Sequence, residues 1–181
     1  MNLKTFMTSL KKAIGLALLL SFIASCTSKK IAEDPIKKYL SLENPYLEIY
    51  KSKAGTYGFG DASGALQDSI LLCYELLEKN DENLKPIIHS LVSNNPEQEE
   101  LIFIQGKNHM NQENYARAIE IFANLRSSEN YDIKDQSRYY YALLSLYLNE
   151  KDQEALAIFN DISSDDKSEF KYHAKDIISY L

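Results

Sequence analysis

The chain has 181 residues, with 20 basic and 26 acidic side chains. That length suits one modest domain, and the negative balance excludes the basic footprint that a general nucleic-acid binder or a polybasic membrane ligand needs. There are no long Val/Ile/Thr runs, which argues against sheet; thirteen Tyr and no Trp leave aromatic packing to Tyr and Phe.

Residues 1–25 have the layout of a cleaved secretory signal. Lys4, Lys11 and Lys12 form a positive region, Ala13–Ala24 an apolar core, and small residues precede Cys26. The apolar run is shorter than the roughly 20 residues a bilayer span needs. Loss of this segment removes three lysines from the 20, leaving 17 against 26 acids and a net charge near −9. Ile23-Ala24-Ser25-Cys26 resembles the bacterial lipobox. The resemblance implies cleavage before Cys26, a diacylglyceryl group on its sulfur and a further acyl chain on its amine. Two or three acyl chains hold a protein on a membrane where one does not. Thr27, rather than Asp, follows the lipidated position, which implies the outer membrane of a bacterial envelope, with the chain facing the periplasm or the cell surface. The alternative is an ordinary signal or an uncleaved anchor with a chance Cys.

Residues 26–34 read as a lipidated tether, and residues 35–64 as a short helix followed by a Tyr/Gly-rich irregular segment. Asp34-Pro35 is a helix start, and Ile36, Tyr39 and Leu40 give its apolar stripe. Gly55, Gly58, Gly60 and Gly64 lack the Lys-Ser/Thr that a phosphate-cradling loop requires, so a plain loop is expected there. Residues 65–181 carry helical periodicity almost throughout. Leu66, Ile70, Leu71, Cys73, Tyr74 and Leu77 mark one helix and Leu84, Ile88 and Leu91 the next. Cys73 sits in an apolar row and is expected to be a buried hydrophobe.

The strongest pattern is a repeat. Ala118, Phe122 and Leu125 recur as Ala155, Phe159 and Ile162, 37 residues later, and more weakly as Leu84, Ile88 and Leu91, 34 residues earlier. Small residues also stand at Gly106 and Ala142. This pattern resembles the tetratricopeptide repeat (TPR), well over residues 97–128 and 135–163 and weakly over 66–96. More broadly it looks like the small tetratricopeptide lipoproteins of Bacteroidetes. The Trp of the family pattern is replaced by Ile102 or Tyr139, and the longer second spacing is expected in the loop of residues 127–135. The resemblance implies an all-α fold, a short TPR-like superhelix of antiparallel hairpins closed by a C-terminal capping helix at Phe170–Leu181. It also implies a concave groove for a protein or peptide partner. Phe103, Lys107, Tyr140 and Tyr147 are the residues expected to line that groove, Tyr and Phe being common binding anchors; the alternative is that they are core.

Sites for chemistry are sparse. His89, His109 and His173 show no paired metal-ligand spacing. Asp161, Asp165, Asp166 and Glu169 lack the turn Gly of a calcium loop. Ser168 and Lys171 stand alone as a serine–lysine pair. No catalytic residue, metal, cofactor or small-molecule substrate is expected. The reading is a lipid-anchored interaction scaffold without catalysis. Two alternatives stand beside it: an envelope hydrolase whose site is assembled only by folding, and a structural lipoprotein that oligomerises through its hairpins.

Overall fold

The computed structural model describes residues 35–40, 62–149 and 152–181. The chain divides into two units, Met1–Asp34 and Pro35–Leu181, and the fold described is that of the second. The signal-like segment, Cys26, the tether and the Tyr/Gly-rich stretch through residue 61 lie outside the described residues. Among the described residues there are eight helices and no strand: α1 Pro35–Leu40, α2 Ala62–Glu78, α3 Leu84–Asn94, α4 Glu99–Asn111, α5 Tyr115–Leu125, α6 Tyr131–Leu148, α7 Gln153–Ser164 and α8 Lys171–Tyr180. The chain is therefore all-α, as expected.

From α2 onward each helix packs on the next. The links between them are three to six residues long, too short for anything but antiparallel neighbours. Their chemistry is local. Asn80 ends α2 in the left-handed region at φ 48°, a conformation Asn tolerates because its short side chain bonds locally. Asp81 Oδ1 then accepts from the Asn83 backbone N–H at 2.9 Å, turning the chain into α3. Asn130 caps α6, its side chain accepting from Asp132 N–H and Ile133 N–H, and Asp152 caps α7 by accepting from Ala155 N–H. Such caps contribute about 1 kcal/mol each.

The Asn130 cap corrects one expectation. Residues 127–135 do not form a long loop: Tyr131–Asp135 are the first turn of α6, which reaches 18 residues. The extra spacing is absorbed largely as helix, because Asn130 satisfies the first amides and Ile133 is fully buried. Likewise α2 starts at Ala62, ahead of the expected Ala65.

The repeated triplets form the core. Ala118, Phe122, Leu125, Ala155, Phe159 and Ile162 are all buried, as are Leu84 and Ile88. Positions three and four apart share a helix face, so each triplet presents one stripe to its neighbours. Full burial of a Phe side chain contributes about 2–3 kcal/mol. Helix α6 lies at the centre. It touches α5 and α7 on either side, and also α4 and α1, which is why it buries Ile133, Tyr139, Tyr140, Ala142, Leu143, Leu144 and Leu146 together. Helix α1 packs on both α6 and α8; its Tyr39 hydroxyl donates to Asp176 of α8.

A second repeated device lies in the links. Ser128 Oγ donates to Glu99 at 2.5 Å and accepts from Asn130 N–H at 3.0 Å. Ser168 Oγ donates to Asp135 at 2.8 Å and accepts from Phe170 N–H at 3.1 Å. In each case the link after the second helix of a hairpin is fastened to a carboxylate near the start of the first. Polar groups buried this way must be bonded, and the serine supplies both a donor and an acceptor.

Candidate functional site

The four residues expected to line a groove do not form one. Phe103 is 0 % and Tyr140 1 % exposed, so both are core; this corrects the expectation of an accessible aromatic surface at these positions. Phe103 lies 5.6 Å from Phe122 and 6.0 Å from Tyr140, ring centroid to centroid. Tyr140 stacks on Phe122 at 5.6 Å and meets the edge of Phe170 at 5.7 Å. The reason is geometric. With so few hairpins, α5 and the start of α8 sit directly against α6, and their aromatic side chains fill the space a longer stack would leave open. Met110 and Leu144 are buried in the same way, whereas Leu148 is 58 % exposed.

Lys107 joins that cluster. It is 6 % exposed, and its Nζ stands 3.8 Å from the centroid of the Tyr140 ring. Among the described residues it makes no ion pair. Burial holds its pKa well below the usual lysine range, at about 7, because the ammonium loses water and gains only an aromatic face. Tyr147 is half-buried two turns further along α6 and packs edge-on against Tyr115 at 5.2 Å. Three of the four residues thus converge and the fourth belongs to a separate contact between α5 and α6.

Folding also brings together residues that lie far apart in the chain. Lys85 and His89 on α3 and Gln105, Asn108 and His109 on α4 line an open cleft of about 450 Å³, together with Pro86 and Ile88. Each pair spaced by four falls on one helix face, and the packing of α3 on α4 brings the pairs to one cleft. Among the described residues no carboxylate lines the cleft. His109 is held below the ordinary histidine value, first by burial and then by the positive charges of Arg117 and Lys85. Its Nδ1 lies 3.4 Å from Asn114 Nδ2. The sequence signal for this cleft was the i, i+4 spacing of Lys85/His89 and Gln105/His109, which carries no meaning until the helices are paired.

The remaining candidates are structural. Cys73 is buried and free, and burial pushes its thiol up to about 11, far from the thiolate a reactive cysteine needs. Asp161 pairs with Arg138 at 3.1 Å, Asp165 accepts from Tyr131 at 2.8 Å, and Asp166 pairs with Lys171, so these acids are engaged separately. No group of three metal-ligating side chains occurs among the described residues. Ser168 is held by Asp135 rather than by Lys171. His173 lies against Tyr39, Tyr139 and Phe170 with ring centroids 5.7–6.2 Å apart. Between the hairpins, Arg126 lies flat on Tyr141 at 3.7 Å, and both bond Glu154, at 2.6 and 2.9 Å. Among the described residues no helix is long and apolar enough to cross a membrane. The chain matches no family model, no curated protein and no solved structure.

Proposed function

We propose that the protein is a lipid-anchored, TPR-like scaffold of the bacterial cell envelope, tethered through acylated Cys26, that holds a protein or peptide partner. The observation that carries the scaffold part is the repetition of a whole hairpin. Triplets in α5 and α7, small residues at Gly106 and Ala142, and the serine fastenings at Ser128 and Ser168 recur in the same roles. Stacked hairpins of this kind present surfaces rather than reaction centres; the step from architecture to binding is made by analogy of fold. The anchor rests on the residues around Cys26. The partner surface is placed on the open end of α6, where Leu148 is exposed beside Tyr147 and Tyr115, not on the buried Phe103 and Tyr140.

Two measurements test this separately. Cys26→Ser should abolish incorporation of labelled palmitate and move the protein from the membrane to the soluble fraction; unchanged fractionation refutes the anchor. A photo-crosslinking residue at position 148, introduced into the full-length lipoprotein in intact cells, should yield a discrete adduct with one partner polypeptide. The same residue at buried position 142 should yield none. Failure of position 148 and of exposed positions 172 and 180 alike to give any adduct refutes the scaffold.

A further inference from the structure

We propose that the cleft between α3 and α4 is a binding site for a small amphipathic anion, a ring or short acyl body bearing one carboxylate. The inference is independent of the scaffold reading. Its first support is charge. In a chain with net charge −6, every ionisable side chain that lines the cleft among the described residues is a lysine or a histidine. Lys85 makes no ion pair among the described residues. Arg117 on α5 adds its field at His109, though its own guanidinium is paired with Glu120 at 2.6 Å.

The second support is an unused donor. Asn108 is only 7 % exposed, yet its carboxamide is engaged solely as an acceptor, from Gln112 Nε2 at 3.4 Å. Its NH₂ group has no protein acceptor among the described residues, and Asn108 lines the cleft. A carboxylate oxygen in the cleft is an acceptor that this donor can take. His109 agrees in sense. Its Nδ1 is turned to Asn114 Nδ2 at 3.4 Å, which leaves Nε2 as the ring nitrogen available to a ligand.

The third support is shape. The cleft holds about 450 Å³, within the range of small-molecule sites, which pair an apolar lining with a few placed polar groups. Pro86 and Ile88 supply carbon surface beside the donors. A bare inorganic anion would leave that surface uncovered; a benzoate-like ligand covers it and delivers its charge to Lys85 and Asn108.

The three histidines provide the assay. Two line the cleft, and His173 lies instead among the rings of α1, α6 and α8. The full chain is titrated with benzoate, with its neutral isostere benzamide and with inorganic phosphate, following the Cε1–H resonances by NMR. Benzoate should move the His89 and His109 signals saturably and leave His173 in place. Benzamide and phosphate should each bind at least about tenfold more weakly, and Lys85→Glu, an exposed change that leaves the core intact, should weaken benzoate by a similar factor. Absence of saturable shifts overturns the site. Equal binding of benzamide overturns the reading of charge, as does an unaffected Lys85→Glu variant, and equal or stronger binding of phosphate overturns the amphipathic ligand.

Discussion

Lys107 offers the sharpest quantitative test of the packing. Its ammonium is 6 % exposed, lies 3.8 Å above Tyr140 and is held at a pKa of about 7 against an ordinary 10.5. The pKa is depressed in the folded state, so between these values the unfolded chain binds a proton that the folded chain has shed. Stability must then rise with pH from about 7 upward. Each pH unit fully inside that window contributes about 1.4 kcal/mol. Half-titration at the lower edge, and the attraction of the Tyr140 face for the charged form, reduce the gain from pH 7 to 8.5 to about 1–1.5 kcal/mol. Burial also lowers His109 and His173, which adds to the rise near the lower edge, while Cys73, raised from 9.0 to about 11, opposes it at the alkaline end; comparison with a variant at position 107 isolates the lysine. Lys107→Met should stabilise the fold by about 1–2 kcal/mol at pH 7, since an apolar residue of similar length replaces a buried unpaired charge, and should flatten the pH dependence. Urea denaturation followed by circular dichroism at pH 7 and 8.5 measures both. Parallel pH profiles for the two proteins, or a less stable Lys107→Met, would show that the amine is solvated and the packing argument wrong.

The aromatic cluster and the close helix approach give further tests. Phe103→Ala and Tyr140→Ala should each cost about 3–5 kcal/mol as large-to-small core changes, and the double variant should lose its helical signal at 37 °C; a helical, thermally unchanged double variant would restore the groove. Gly106→Ala sets helix propensity, worth about 1 kcal/mol in favour of Ala, against overpacking. A Cβ there would stand 2.8 Å from Phe122 Cε1 and 3.0 Å from Ile121 Cγ2, and Phe122 is fully buried with no room to withdraw. Overpacking of this kind costs about 1–3 kcal/mol, so a net loss near 1 kcal/mol is expected, read as a lower urea midpoint; a gain would mean the two helices separate easily.

Much of the fold was legible because helices announce themselves locally. The triplets Ala118/Phe122/Leu125 and Ala155/Phe159/Ile162 write one face of a helix at 3.6-residue period, and their burial follows from that spacing alone. The sequence also identified the helix start at Pro35 and the buried character of Cys73. What it misplaced was the side of α6. A helix at the centre of a short stack is apolar around most of its circumference, so periodicity cannot say which apolar face meets solvent. Tyr140 and Tyr147 occupy the same stripe, yet Phe122 and Phe170 cover the first while Tyr115 meets only the edge of the second.

By itself, then, the sequence determined the all-helical class and the recurrence of one apolar triplet, because each is written within a few dozen residues of continuous chain. Only the tertiary structure decided that Phe103 and Tyr140 are interior, that Lys107 lies buried on an aromatic face, and that Lys85, His89, Asn108 and His109 share one cleft. Those outcomes depend on which helices become neighbours. Neighbourhood is set by the burial of many stripes at once, which no single stripe encodes.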